Sequence, residues 1–423
     1  MSLSSVVAAT LLGLATAQIV GTIPEVHPKL TTWKCTKAGG CKALDTAIVV
    51  DSLRHNIHLK NDTSVSCGDE YTALNTALCP DKKTCAQNCV IDGIEDYSTQ
   101  AIFTDNDKLR LDMYNPKGEY MSPRVYLLAE DKQNYEMLQL TGNELSFDVD
   151  MSKLPCGMNS ALYLSEMEAD GGRSEYNTGG APQGSGYCDA QCFVKPFLNG
   201  EANANGEGAC CNEMDIWEAN SYANQIAPHT CAKPGIFACT GNDCGSAGLC
   251  DKAGCGDNPY KDRNDKEYYG PGLKVDTNRP FTVVTQFPAK DGVLQAIVRK
   301  YVQDGVVIEN AMRNLTAEEA VMDQAWCDRQ GKTSAYNRLG GHKTMGEALE
   351  RGMVLALSIW WDKSGGMQWL DSGSSGPCNA TEGFPDVIQS KVKNPTVTFS
   401  QVKWGEIDST YGASNATTKY WKA

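Results

Sequence analysis

Polar and apolar residues alternate along much of this chain with the period of a strand. From Leu145 to Met151 the residues run Leu-Ser-Phe-Asp-Val-Asp-Met. Leu145, Phe147, Val149 and Met151 therefore share one face, and Ser146, Asp148 and Asp150 share the other, as in a half-buried antiparallel strand. Runs rich in β-branched and aromatic residues at 123–129, 137–140, 160–167, 281–287, 294–302, 352–361 and 396–407 read the same way. Helical periodicity is scarce, with Glu318 to Met322 and Thr344 to Arg351 the better candidates. Gly-rich turns separate the strands, and neither a linker nor a repeat interrupts them. The pattern predicts a single all-β domain, a sandwich with room for a groove across one sheet and long loops for disulfides to brace.

Composition narrows the setting. The chain has 423 residues, 41% of them hydrophobic, which supports a large core. A net charge of −14 offers no footprint for nucleic acid or an anionic membrane. Val6 to Ala17 is apolar, too short to span a bilayer, and ends in Ala15-Thr16-Ala17. It reads as a signal peptide over 1–17 that leaves one domain over 18–423, although no Lys or Arg precedes it. All 18 cysteines follow that leader. An even number in an exported chain predicts a full set of disulfides and a secreted protein. Cys239, Cys244, Cys250 and Cys255 lack the close pairs of a zinc site, so no metal or cofactor is expected. Sequons at Asn61, Asn314, Asn379 and Asn415 fit secretion.

The chemistry concentrates at Cys210-Cys211-Asn212-Glu213-Met214-Asp215-Ile216-Trp217-Glu218-Ala219-Asn220. On a regular strand Glu213 and Asp215 share a face and Glu218 points away. A bulge between Asp215 and Glu218 would bring all three to one side. The plain alternative is a polar strand edge in solvent. A helix is disfavoured by the paired cysteines before the segment and Asn220 after it. Clustered carboxyls are what glycosidic cleavage requires: one attacks or activates water, and another protonates the leaving oxygen. A third can tune both, because like charges in contact resist joint ionisation. No nucleotide loop, G-x-S-x-G elbow or H-E-x-x-H competes. A lone histidine such as His229 is more often structural than catalytic.

Several long strings carry a resemblance: PEVHPKLTTWKC (24–35), ELSFDVDMSKLPCG (144–157), YCDAQC (187–192), CCNEMDIWEAN (210–220), APHTC (227–231) and SIWWDKSGGMQWLD (358–371). Over nearly all of 23–409 the chain resembles glycoside hydrolase family 7, the fungal cellulases, in pattern the endoglucanase I type. The resemblance implies a concanavalin-like β-jelly roll with an open groove, acting on β-1,4-glucan with retention of configuration. It implies Glu213 as nucleophile, Glu218 as acid/base, Asp215 as the residue that hydrogen-bonds and tunes the nucleophile, and His229 near the leaving group. Tyr163, Asp189, Gln191, Arg124 and Lys261 are implied as substrate-binding, with Trp360 and Trp369 as platforms for glucose rings. It also implies the pairs 35–41, 67–89, 79–85, 156–378, 188–211, 192–210, 231–250, 239–244 and 255–327. The expected partner is the glucan alone, and the protein is expected to be a monomer.

The departures point one way. Arg54 and Asn56 stand where processive members carry distal tryptophans, and Lys261 stands where the family has an arginine. The stretches 193–209 and 370–377 are short against tunnel-forming members, although the cysteine frame around 244–250 survives. An endo-acting enzyme without a cellulose-binding module is the expectation. A cellobiohydrolase is the rival, and a non-catalytic lectin on the same scaffold a distant third.

Overall fold

The computed structural model of the chain describes residues 19–311 and 321–412. The leader expected at 1–17 and the sequons at Asn314 and Asn415 lie outside the described residues, whereas Asn61 and Asn379 are exposed. The strands expected from alternation form, with small shifts at their ends.

Two large sheets stack. The first runs, in spatial order, Asn224–His229, Glu213–Ala219, Met158–Ser165, Met353–Trp361, Arg124–Leu128 and Ala47–Val50. The second runs Val306–Glu309, Ala296–Gln303, Phe281–Gln286, Asn143–Asp150, Thr396–Glu406, Thr32–Thr36 and Gly40–Leu44. Neighbours along these two paths are antiparallel, except that Thr32–Thr36 lies parallel to Thr396–Glu406. Many neighbours are far apart in sequence, and the architecture is a β-sandwich of jelly-roll type with disulfide-braced loops.

The core fills the space between the sheets. Leu162, Leu164, Met214, Ile216, Trp217 and Leu357 enter it from the first sheet. Phe147, Val149, Phe281, Tyr301 and Phe399 enter from the second. Trp217 is met edge-on by Phe147, Tyr269, Phe281 and Tyr301, the arrangement that ring quadrupoles favour. On the other face of the first sheet Tyr126, Ala161, Tyr163 and Ala356 form a second cluster beneath the groove.

Two expectations need correction. The Asn143–Asp150 strand is not half-exposed, because its polar face is covered too. Glu144 is fully buried and accepts from the backbone N–H groups of Asp408, Ser409 and Thr410 at 2.8–3.0 Å. Chain returning from the last strand thus supplies the donors that water would have supplied. The helix expected at Glu318 to Met322 is not there at its described end. Met322–Asp323 is a short strand against Ala296–Ile297, and 318–320 lie outside the described residues. The helix is Gln324–Gln330, capped by Asp323, whose carboxylate accepts from Trp326 N at 2.7 Å. The second expected helix is present as Gly341–Arg351.

All nine disulfides form in the expected pairing.

Candidate active site

A groove of about 620 Å³ crosses the first sheet, and Glu213, Asp215, Glu218 and His229 all line it. The backbone explains how three carboxyls reach one side. Against the Met158–Ser165 strand, Leu162 pairs with Trp217 and Tyr163 with Asp215, leaving Ile216 over. Against the Asn224–His229 strand the register slips between Asp215 and Glu218. The extra residue sends both Ile216 and Trp217 to the core and returns Glu218 to the groove face. The segment is an interior strand, buried throughout, so both the solvated-edge and the helical alternatives fall.

The two cysteines before it fix its start. Cys211 bonds to Cys188 and Cys210 to Cys192, which brings the 188–192 loop against the strand. From that loop Ala190 N–H donates to Glu213 Oε2 at 3.1 Å. Glu218 is held from the neighbouring strand, where Asn159 Nδ2 donates to its Oε1 at 3.0 Å. Asn159 is itself fixed, its Oδ1 accepting from Ala219 N at 3.1 Å. Asp215 meets His229, Oδ2 to Nε2 at 3.0 Å. His229 Nδ1 lies 3.0 Å from the Asp251 carbonyl, so Nδ1 carries a proton and Nε2 faces the carboxyl. The implied hydrogen bond from Asp215 to Glu213 is not there among the described residues: the Asp215 carboxyl turns to His229 and acts on Glu213 by charge.

Burial sets the proton affinities. Glu213 is raised well above the ordinary carboxyl range by desolvation, then by the charges of Asp215 and Asp189. Glu218 is pushed up to about 8, by desolvation first and the Asp215 charge second. Asp215 and Asp189 are raised as well, chiefly by burial. Four buried carboxyls this close resist joint ionisation, and Glu218, pushed up to about 8, keeps its proton at neutral pH. This is the condition for one of them to act as a general acid.

The other expected residues divide. Tyr163, Asp189, Gln191, Arg124, Trp360 and Trp369 line the groove. Trp360 and Trp369 stack with centroids 6.4 Å apart, and Trp369 is 41% exposed. The segment joining them is a strand, a turn and then the short helix Gln368–Asp371, not a second strand. Arg124 is largely committed to protein partners: Nη2 donates to Asp51 at 2.5 Å, and the guanidinium covers the Tyr187 ring at 3.5 Å. Gln191 and Lys252 tie their loops together, the Gln191 amide donating to the Lys252 carbonyl at 3.1 Å. Lys261 does not line the main groove. It lies in an adjoining concavity of about 400 Å³ that shares Gln225 and Ala253 with it.

Sequence reasoning missed Tyr187, Asp51 and Asn159. Tyr187 opens the YCDAQC string, and Asp51 stands three residues before Arg54, so both were within reach. Asn159 had no sequence signal, because its role depends on the register of strands 59 residues apart.

The model of "Glycosyl hydrolase family 7" matches residues 19–411. Endo-beta-1,4-glucanase celB of Aspergillus oryzae is 54% identical over 409 residues, 95% of this chain and 97% of that protein. The native structure of Humicola insolens endocellulase EGI superposes with a TM-score of 0.89 at 53% identity, covering 93% of this chain and all of that one. A family 7 cellobiohydrolase from Daphnia pulex superposes with a TM-score of 0.85 over 93% of this chain and all of that one, at only 34% identity.

Proposed function

The chain belongs to glycosyl hydrolase family 7, and from that premise we propose that it cuts internal β-1,4 bonds of glucan by a retaining double displacement on Glu213 and Glu218. It is an endo-β-1,4-glucanase with cellulose and related β-glucans as its substrate class.

The reading of the residues rests on one observation: a bulge in a buried strand gathers Glu213, Asp215 and Glu218 on the groove floor. In the first step a Glu213 oxygen attacks the anomeric carbon while Glu218 passes its proton to the departing glycosidic oxygen. The covalent glycosyl-enzyme then meets water. Glu218, now ionised, takes the water proton, and the Glu213–sugar bond breaks with net retention. Burial suits Glu218 to the first role, since a carboxyl pushed up to about 8 still holds its proton at neutral pH. Ala190 N–H and His229 favour the ionised form of Glu213, opposing the burial that disfavours it. The Asp215 carboxyl is turned to the His229 ring, Oδ2 to Nε2 at 3.0 Å, which holds it in place beside the nucleophile. Trp360 and Trp369 offer flat apolar faces for sugar rings, and Asp189 and Tyr163 offer polar atoms for hydroxyls. Nine disulfides fit an oxidising compartment, so the chain acts outside the cell after losing residues 1–17.

The test pairs viscosity with reducing ends. Carboxymethyl-cellulose should lose viscosity steeply for few ends formed, and amorphous cellulose should yield mixed short oligomers. Glu213→Gln should abolish both signals, by about 10⁴-fold or more, because no nucleophile remains. A nearly pure cellobiose product with little viscosity loss would refute endo-action. First release of the α-anomer would refute retention.

A further inference from the structure

Arg299 lies on Ala296–Gln303 in the second sheet, across the core from the groove. It is 3% exposed. A guanidinium keeps its charge at any ordinary pH, so a buried one must find acceptors. Its Nη2 donates to a backbone carbonyl, that of Ile216, while Nε is buried without a hydrogen-bond partner. The rings of Trp217 and Tyr301 flank the guanidinium, with centroids 5.5 and 5.8 Å from its central carbon.

Ile216 is the extra residue of the bulge and has no register partner on either neighbouring strand. A carbonyl at such a point, turned into an apolar interior, needs a donor from outside its own sheet. We propose that Arg299 is a positioning residue for the proton donor: by holding the Ile216 carbonyl from behind, it keeps the bulge that aims Glu218 into the groove. The proposal rests on the reading of Glu218 as the acid.

The two halves of the catalytic strand are secured differently, which gives the proposal its test. Glu213 follows two disulfide-bonded cysteines and takes the Ala190 N–H. Nothing in that anchorage passes through Arg299. Glu218 lies beyond the bulge and has Asn159 in front and, through the backbone, Arg299 behind. Were the bulge to regularise, alternation would carry Glu218 toward the core and leave Glu213 where it is. Loss of the guanidinium should therefore resemble loss of the acid, not loss of the nucleophile.

Arg299→Lys and Arg299→Gln are assayed per active site, titrated with a 2-deoxy-2-fluoro-cellobioside that traps Glu213. Two substrates are compared through kcat/KM, which reports the first step. In 2,4-dinitrophenyl cellobioside the leaving phenolate departs without a proton. In phenyl cellobioside its oxygen must receive the proton of Glu218 as the glycosidic bond breaks. The expected result is a fall within about threefold for the dinitrophenyl substrate and about 30-fold or more for the phenyl substrate, within the range a general acid supplies. Equal falls on both substrates, or no fall on either, would overturn the proposal. Absence of titratable sites in both variants would make Arg299 a folding residue and overturn it as well. Glu218→Gln is run alongside. If that variant shows no leaving-group dependence, the acid assignment fails and takes the Arg299 link with it. If it does show the dependence and the Arg299 variants do not, only the link fails.

Discussion

Glu218 owes its proton first to burial and second to the charge of Asp215. The second cause is removable. Asp215→Asn takes away a negative neighbour, so the ionised form of Glu218 becomes easier to reach and its proton affinity falls. The acid form is then lost at lower pH. The alkaline limb of kcat/KM against pH, measured on a soluble substrate, should move to lower pH in Asp215→Asn. A limb that stays or moves up would mean that the Asp215 charge does not hold the proton on Glu218. The clustering of these carboxyls was legible in the sequence as three acids interleaved with Met, Ile and Trp, but that their strand is interior and buried was not. Nor were their supports. Asn159 and Arg299 reach the site from strands distant in sequence, and nothing local marks either residue.

Between the Asn224–His229 strand and the adjoining concavity runs a loop that leaves little room beside His229. Gly254 has φ +72°, and a Cβ there would lie 2.7 Å from His229 Cε1 and 2.9 Å from Nε2. Gly254→Ala combines a strained backbone with a clash against the ring that faces Asp215. Activity should fall by about tenfold or more, since small displacements of a catalytic group are costly. Wild-type kcat with an unchanged pH profile would mean that the ring has room to shift. The same scale shows where elements outran their sequence signals. Asn199 and Gly200 both have positive φ and turn a small hairpin, Phe197–Leu198 with Glu201–Ala202. That Asn-Gly pair was readable. The short strand at Met322–Asp323 was not, because its partner lies at Ala296–Ile297.

For the molecule as a whole the disulfides set the frame. Cys156–Cys378 joins residues 222 apart in sequence, linking the start of the Met158–Ser165 strand to the loop after Trp369. Chain-entropy reasoning makes such a long closure worth about 5 kcal/mol against the unfolded state. The double variant Cys156→Ala/Cys378→Ala should unfold at a clearly lower denaturant midpoint than the parent, with the other bridges intact. An unchanged midpoint would mean that the unfolded chain is already confined by the remaining bonds. The same bridge neighbours the segment that carries Trp369, because Asp371, two residues on, accepts from Gly157 N at 2.7 Å and from Asn220 Nδ2 at 2.7 Å. Loosening it should therefore also weaken retention of glucan at Trp369, visible as a rise in KM larger than the fall in kcat.

The sequence alone determined the strands, the all-β class and the clustering of three acids in one segment. It did so because alternation, turn residues and clustered charge are local properties, readable within a dozen residues. Resemblance over several long strings added the cysteine pairing, and the roles proposed for the acids follow from it. Only the tertiary structure decided that the polar face of Asn143–Asp150 is buried, that Lys261 belongs to a neighbouring concavity, that Asn159 holds Glu218 and that Arg299 takes the Ile216 carbonyl. Each of those facts depends on which distant strands become neighbours and in what register. Register is fixed by the packing of a whole sheet against its partner, and no window of the chain contains that information.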